Sequence, residues 1–294
     1  MHPRGRGGSD GAVRPQPAMA SISVLKNTDA FAAAVAASPA IYIVAPAANL
    51  RDGSAFRLLP DLGGTALLET AAAMAESASS SADVGGTAVS SFVVGAGSLS
   101  RVHLVPLPDE SSRMYSPTQS MAITGGLVEA GLGDSGDATV LVVLRSESDK
   151  DWASHGPVRG GAADAPWAKH ALGPAACGVA RALPLFSRKT SAAVPAKISL
   201  GFVAAEQSSV LLGGPSVDKY VPIAIDAVRN TARVCETPCE DLGCAKMEAE
   251  ARAAVAGLPN VSITSIEGDE LLSAGLRAYD THVTTHTLEP KSRP

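Results

Sequence analysis

Three cysteines and two histidines in the C-terminal third have side chains of the types that bind zinc. Cys235, Cys239 and Cys244 lie within the stretch ARVCETPCEDLGC, and His282 and His286 follow in THVTTH. Structural zinc sites usually place paired cysteines on a tight turn, whereas a Thr-Pro step separates the first two cysteines here. We therefore expect no zinc site, and we predict reduced thiols that are buried or half-buried.

The sequence GDSG at 133–136 is reminiscent of the nucleophile loop of trypsin-like serine proteases. Those enzymes are all-β, and their catalytic serine needs a histidine and a buried aspartate. His103 is a candidate histidine, but apolar runs of strand length alternate here with helical segments. We therefore interpret GDSG as a turn that leads into a strand at 139–144.

The sequence VVGAGSLS at 93–100 contains part of the glycine-rich pattern that binds dinucleotides, with Ser100 in place of the third glycine. In a dinucleotide-binding fold a helix follows the glycines, and its N-terminus holds the phosphates. Here the following residues, 101–107, are predicted to form another strand. We therefore predict a strand–turn–strand unit.

Two acidic pairs, Asp109 with Glu110 and Asp149 with Asp151, have the carboxyl groups that general acid–base catalysis uses. Polar residues surround both pairs, so we predict solvent-exposed charges. We assign no catalytic role to either pair.

The composition is that of a globular protein without a basic surface. Of the 294 residues, 46% are apolar and 18% are charged, and the formal net charge is −5. Neither nucleic acid nor a membrane is an expected partner, because there is no basic field and no uninterrupted apolar segment of spanning length. Four cysteines are too few for a disulfide scaffold, so a cytoplasmic location is expected. Residues 1–20 are rich in Arg, Gly and Pro, and an organelle transit peptide is the alternative.

Strand-like and helix-like segments alternate along the chain, which predicts an α/β fold. The predicted strands lie at 41–45, 91–96, 101–107, 139–144, 197–205 and 261–266. The predicted helices lie at 27–38, 65–78, 120–132, 167–186, 221–236 and 244–258. The polar segment 146–166 is predicted to be a loop.

The predicted helix at 221–236 has one apolar stripe at spacings of three and four residues, which indicates a helix packed on a core. The predicted buried residues are Val221, Ala224, Ile225, Val228, Ala232 and Cys235. Asp226, Arg229 and Arg233 are predicted on the opposite, solvent-facing side. Pro222 suits the first turn, where a missing N–H group is tolerated.

Residues 224–276 resemble the leucyl (cytosol) aminopeptidases, a family of two-metal exopeptidases. In that family a helix ending in Ala-Arg-x-x-x-Thr-Pro leaves the N-terminal domain and opens the catalytic domain. The matching residues are Ala232, Arg233, Thr237 and Pro238. The resemblance therefore implies that the cysteine-rich stretch is a hinge between two domains.

The resemblance is greatest to the branch called probable aminopeptidase-like, which also has a cysteine after Thr-Pro, here Cys239. A second signature of that branch resembles ACGVARALPLFSRKTS at 176–191, and a weaker one resembles SSRMYSP at 111–117. In total the resemblance spans about residues 100 to 276. The sequence before it resembles nothing that we can name.

The family implies two divalent metals, zinc or manganese, which bind the peptide and activate a water molecule. The family's metal ligands lie in motifs such as K-G-x-x-x-D-[ST]-G-G and N-T-D-A-E-G-R, beyond the hinge. The only N-T-D-A here is at 27–30, where Phe31 replaces the metal-binding glutamate, and we predict a helix cap there. We assign no catalytic, cofactor-binding or metal-binding residue to this chain, and we expect it to be inactive alone.

The predicted organisation has four parts. A disordered extension at 1–20 precedes an N-terminal α/β domain at 21–215, a linker helix and hinge at 216–243, and a truncated start of the catalytic domain at 244–294. The N-terminal domain is expected to have a mixed sheet with flanking helices, similar to macro domains. Because the resemblance ends at Leu276, we hypothesise a truncated or mis-spliced product.

The expected function is that of the non-catalytic N-terminal portion of a metallopeptidase. The intact family removes N-terminal amino acids from peptides, and a homo-oligomer is expected by analogy. One alternative is a macro-like module that binds phosphate or a nucleotide through residues 93–100. Another is a regulatory subunit that joins intact homologues.

Overall fold

The computed structural model describes most of the chain in two compact units, residues 1–237 (unit 1) and residues 238–294 (unit 2). The described residues are 20–57, 59, 69–70, 72–75, 90–95, 99–108, 120–134, 136–144, 166–186, 195–205, 211–214, 216–258, 261 and 263–274. The predicted extension at 1–20 therefore lies outside them except for Ala20. The predicted loop lies outside them except for Pro166, and most of the predicted helix at 65–78 does too.

Unit 1 contains a mixed six-stranded sheet, which confirms the predicted α/β fold. The strands are β1 (Ser21–Val24), β2 (Ala40–Pro46), β3 (Ser90–Gly95), β4 (Leu99–Leu107), β5 (Ala138–Leu144) and β6 (Lys197–Ala204). Their order across the sheet is β1-β6-β5-β2-β4-β3. Neighbouring strands are parallel except for the edge pair β3 and β4, which is antiparallel.

The two central strands are continuous apolar runs because helices cover both faces of the sheet. Every residue of β2 and of β5 is buried. Alternate residues belong to different cores: Tyr42 and Val44 lie in one apolar cluster, and Ile41 and Ile43 lie in the other. This period of two follows from the opposite directions of successive side chains along a strand.

Helices from separate parts of the chain cover the two faces. They are α1 (Thr28–Ala37), α2 (Ala47–Arg51), α3 (Ser120–Glu129), α4 (Pro166–Ala182) and α5 (Val221–Glu236). Buried residues of α1 and α2 belong to the cluster that contains Ile43, and those of α3, α4 and α5 belong to the cluster that contains Tyr42. Helix α1 begins as predicted, because the Asn27 side chain accepts a hydrogen bond from the Ala30 amide at 2.8 Å.

Helices α3 and α4 pack closely because a glycine lies at their contact. A Cβ atom added at Gly178 would lie 2.8 Å from the backbone oxygen of Ser120 and 2.9 Å from the Cβ of Ile123. The Ser120 hydroxyl donates to the Pro174 carbonyl at 2.8 Å, and the Thr124 hydroxyl donates to the Gly178 carbonyl at 2.9 Å. Two hydroxyl groups thus fix one helix on the backbone of the other.

Five of the six predicted strands are confirmed to within two residues at either end. The sixth prediction was wrong, because the described residues of 261–266 belong to no strand. Strand β1 was missed, since its four residues, SISV, follow directly on a segment that was predicted to be disordered. The helix predicted at 221–236 is confirmed by α5, which has the same bounds.

Unit 2 contains little buried apolar surface among its described residues. Its helices are α6 (Cys244–Val255) and α7 (Glu270–Ser273). No residue of α6 is buried, and Leu271 is the one buried residue among those described in 238–274. No described helix of the chain is long and apolar enough to cross a membrane.

Candidate functional site

The predicted hinge begins where α5 ends, and a single threonine closes the helix. Both the amide and the hydroxyl of Thr237 donate to the Arg233 carbonyl, at 3.0 and 2.6 Å. Thr237 itself has an extended backbone, with φ −73° and ψ 122°. The hydroxyl therefore adds a second hydrogen bond to a carbonyl in the last turn of the helix.

Pro238 prevents α5 from continuing, because proline has no N–H group to donate. Its own carbonyl begins a new turn, since it accepts hydrogen bonds from the amides of Asp241 and Leu242, both at 2.9 Å. The boundary between unit 1 and unit 2 falls between Thr237 and Pro238. The Arg-x-x-x-Thr-Pro pattern thus acts locally as a helix stop followed by a turn. The predicted limits of the four parts of the chain stay predictions.

Arg229 is buried, contrary to the prediction that it faces solvent. Its Nε donates to the Leu183 carbonyl at 2.8 Å, and its Nη2 donates to the Ala20 carbonyl at 2.5 Å. Leu183 follows α4 directly, so the guanidinium lies at the negative end of that helix dipole. Burial lowers the pKa of Arg229, and the nearby Asp226 carboxylate opposes that shift. Arg229 therefore joins α5 to the end of α4 and to the start of β1.

The remaining predictions for the α5 faces were partly correct. Val221, Ile225 and Ala232 are buried as predicted. Cys235 was predicted to be buried but is exposed, because it lies in the last turn of the helix. Asp226 is exposed as predicted.

An ion pair also links α4 with α5, near the hinge. Arg181 Nη1 lies 2.6 Å from the Glu236 carboxylate. The two side chains are 46% and 35% exposed, so water screens the pair and its contribution to stability is small. The pair nevertheless holds the last residue of α5 next to the end of α4, immediately before the hinge.

The four thiols are free, but the expectation that they are buried or half-buried was wrong for three of them. Cys235, Cys239 and Cys244 are exposed, while Cys177 is half-buried and burial raises the pKa of its thiol. No group of three or more Cys, His, Asp or Glu side chains within the described residues is arranged to hold a metal ion. The zinc candidates His282 and His286 lie outside these residues.

The described residues of the two glycine-rich candidates agree with the conformations predicted for them. Gly133 and Gly136 have φ values of 89° and 88° in the turn before β5, while Ser135 lies outside the described residues. Residues 93–95 belong to β3 and residues 99–100 begin the antiparallel β4, while residues 96–98 between them lie outside the described residues. The acidic residues Asp109, Glu110, Asp149 and Asp151 lie outside the described residues.

The candidate His103 contributes to the core of the sheet. Its ring stacks on that of Tyr42 with centroids 4.5 Å apart and planes inclined by 7°. Burial and the charge of Arg101 lower its pKa, which favours the neutral imidazole. A neutral ring in a stacked pair suits an apolar environment, so its role in this structure is packing.

Sequence reasoning missed a group of buried hydroxyls at the amino ends of three strands. The hydroxyls of Ser38 and Thr139 lie 2.7 Å apart, and the Ser100 hydroxyl donates to the Ser38 carbonyl at 3.1 Å. All three residues are buried. The one available signal was a polar residue, Thr139, at the start of an apolar run.

Solved structures of aminopeptidases share this fold. An M17 aminopeptidase from Trypanosoma brucei matches 87% of this chain with a TM-score of 0.59 at 18% sequence identity. A leucine aminopeptidase from Caenorhabditis elegans matches 86% with a TM-score of 0.55 at 18% identity, and a leucyl aminopeptidase from Trypanosoma cruzi matches 86% with a TM-score of 0.57 at 17% identity. The fold is that of the N-terminal part of leucyl aminopeptidases.

This chain spans about 44% of the length of each of those structures, which is less than half. The first of these structures matches 87% of the 294 residues, and unit 1 ends at residue 237. The matched part is longer than unit 1, so the likeness extends into unit 2. No protein-family model matches the sequence, and no curated protein matches it. The likeness is therefore one of fold.

Proposed function

We propose that unit 1 serves as the non-catalytic N-terminal domain of a leucyl-aminopeptidase-like metallopeptidase. The observation that supports this proposal is that the Arg-x-x-x-Thr-Pro motif ends a helix at the unit boundary of a chain with the leucyl-aminopeptidase fold. The leucyl-aminopeptidase fold covers 87% of the chain, and the Arg-x-x-x-Thr-Pro helix stop falls at the boundary between the two units. A domain with this role needs a rigid body and a defined exit for the following chain.

The contacts of α5 support such a rigid exit. Arg229 fixes the middle of the helix to two backbone carbonyls of unit 1, and Glu236 is ion-paired with Arg181 at its end. Thr237 then closes the helix, and Pro238 redirects the chain. The direction in which the chain leaves unit 1 is therefore determined by contacts within unit 1.

The two divalent ions of the family do not fit the residues that the structure describes. No group of three or more potential ligands is brought together there, and Asn27 of the N-T-D-A sequence is used to cap α1. The proposed role accordingly contains no metal-dependent step. We assign metal-dependent peptide hydrolysis, with zinc or manganese, to intact family members and not to unit 1.

An activity assay of the purified 294-residue chain tests the proposal. Leucine anilide is the substrate, manganese or zinc is added, and the Trypanosoma brucei leucyl aminopeptidase serves as the positive control. We expect no metal-dependent turnover by this chain under conditions where the control is active. Measurable turnover that a chelator abolishes would refute the non-catalytic role.

Calorimetry separates this role from that of a phosphate-binding or nucleotide-binding module. The described residues on either side of 96–98 belong to two antiparallel strands, so neither of these flanks supplies the helix N-terminus that commonly binds phosphate. We expect no heat on titration with ADP-ribose or with nucleotides. Saturable heat would favour the binding module. Co-purification with an intact aminopeptidase would instead favour the regulatory subunit.

A further inference from the structure

Three thiols lie close together along the chain, at and just after the end of α5. Cys235 belongs to the last turn of α5, Cys239 follows Pro238, and Cys244 is the first residue of α6. All three side chains are exposed, and none is in a disulfide. Two exposed thiols that the backbone holds near each other can be oxidised to a disulfide. The path of the chain between them therefore decides which pair can react.

A hydrogen-bonded turn folds the chain back between Cys239 and Cys244. The Pro238 carbonyl accepts hydrogen bonds from the amides three and four residues further along, both at 2.9 Å, so one tight turn follows it. Just after this turn, a Cβ atom added at Gly243 would lie 3.7 Å from the Cys239 carbonyl oxygen. The residue that precedes Cys244 therefore lies against the backbone of Cys239.

Gly243 connects this turn to α6 and gives the chain the freedom that a disulfide needs. Its backbone is extended, with φ −74° and ψ 175°, and no side chain restricts its rotation. A disulfide requires the two Cα atoms to lie within about 7 Å of each other. Rotation about the Gly243 dihedrals moves Cys244 relative to Cys239 without breaking the hydrogen bonds to the Pro238 carbonyl.

We propose that Cys239 and Cys244 form a reversible disulfide that closes this turn under oxidising conditions. The oxidant is a small disulfide, such as oxidised glutathione. The thiolate of one cysteine attacks a glutathione sulfur, breaks its S–S bond and releases one reduced glutathione. The second thiolate then attacks the protein sulfur of this mixed disulfide and releases the other. The two thiols together lose two protons and two electrons, and one oxidised glutathione becomes two reduced molecules.

Cys235 is a less suitable partner for either thiol. Thr237 and Pro238 end α5 before the turn that contains Cys239 begins. Because Thr237 is extended, Cys235 and Cys239 do not have the spacing that one continuous helical turn would give them. The proposed disulfide thus lies wholly after the unit boundary at Pro238. It does not depend on the proposed aminopeptidase-like role of unit 1.

The disulfide would act on the predicted hinge. The ring that it closes contains residues 239–244, so it restricts the chain directly after the helix stop at Thr237. In a reducing compartment such a bond forms only transiently, in response to oxidants. The thiol pair is therefore a redox-sensitive device at the start of unit 2.

Mass spectrometry of the Cys235→Ser chain tests the proposal. Trypsin releases residues 234–246 as one peptide, in which Cys239 and Cys244 are the only thiols of this variant. The folded chain is equilibrated with oxidised and reduced glutathione, and the remaining thiols are blocked before digestion. At about 0.1 mM reduced glutathione, the millimolar effective concentration of a short loop should make the internal disulfide about tenfold more abundant than the glutathione adduct. A peptide that carries glutathione without an internal disulfide would overturn the proposal.

The matched controls remove one thiol of the pair. Cys239→Ser or Cys244→Ser, each added to Cys235→Ser, should leave a peptide that carries one glutathione, because no second thiol can displace it. In the native chain, fragmentation of the same peptide should place the disulfide between Cys239 and Cys244. A disulfide that includes Cys235 would show that another pair reacts and would refute the assignment.

The same equilibrium in concentrated urea tests the contribution of the turn. Unfolding removes the hydrogen bonds to the Pro238 carbonyl, so the ratio of internal disulfide to glutathione adduct in Cys235→Ser should fall severalfold. An equal ratio in the folded and unfolded chains would show that the fold does not bring Cys239 and Cys244 together, and the proposal would be wrong.

Discussion

Unit 1 and unit 2 differ in where their apolar residues lie. In unit 1 they fill two clusters on opposite faces of the sheet, and the central strands β2 and β5 are wholly buried. In unit 2 the apolar residues Met247, Leu258 and Val261 are exposed, and α6 buries none of its residues. Unit 1 therefore contains an apolar core of its own, whereas the described part of unit 2 leaves most of its apolar residues exposed.

Truncation of one large apolar side chain in each unit tests this difference in packing. Phe202 lies fully buried in β6, so Phe202→Ala should lower the free energy of unfolding by about 3–5 kcal/mol. Met247 is 43% exposed in α6, and Met247→Ala should change it by less than about 0.5 kcal/mol. Urea unfolding followed by circular dichroism measures both. Similar costs for the two variants would contradict the assigned difference in packing.

The sequence predicted the elements of unit 1 well because burial on both faces leaves a continuous apolar run in each strand. It failed at 261–266, where six residues of strand composition have no partner strand among the described residues. Composition reports what a segment can pair with, but strand formation also requires a partner. The short strand β1 was missed for the opposite reason. Its four residues carry little strand signal alone, but they form a strand because they pair with β6.

At the candidate site the sequence predicted the helix stop at Thr237 and Pro238 but not the burial of Arg229. Positions 221, 225, 229 and 232 follow the spacing of one helix face, so the periodicity itself placed Arg229 with the buried residues. Its charge led to the opposite prediction. The carbonyls of Leu183 and Ala20 make burial favourable, and they come from distant parts of the chain that no local pattern reveals.

The second test compares two arginines that each make hydrogen bonds with two residues, one in either unit. Arg229→Met leaves the carbonyls of Leu183 and Ala20 without their donor, and we expect a loss of about 2–4 kcal/mol in the free energy of unfolding. The Arg252 side chain is 48% exposed, so water can replace it, and Arg252→Met should cost less than about 0.5 kcal/mol. Denaturant unfolding of both variants gives the comparison. An Arg229→Met variant as stable as the native chain would show that the buried guanidinium contributes no net stability.

The smallest expected effect is a change in the pKa of Glu248, within unit 2. Hydrogen bonds from Ser265 and then Arg252 lower the pKa of Glu248, with the serine contributing most. The carboxylate contact is therefore fully formed above the ordinary glutamate pKa and is lost as the pH falls through the lowered value. Ser265→Ala and Arg252→Met should each raise the pKa of Glu248, as measured by an NMR titration of its carboxyl carbon. An unchanged pKa of Glu248 in Ser265→Ala would show that the serine hydroxyl does not stabilise the carboxylate, and would contradict the contact between Ser265 and α6.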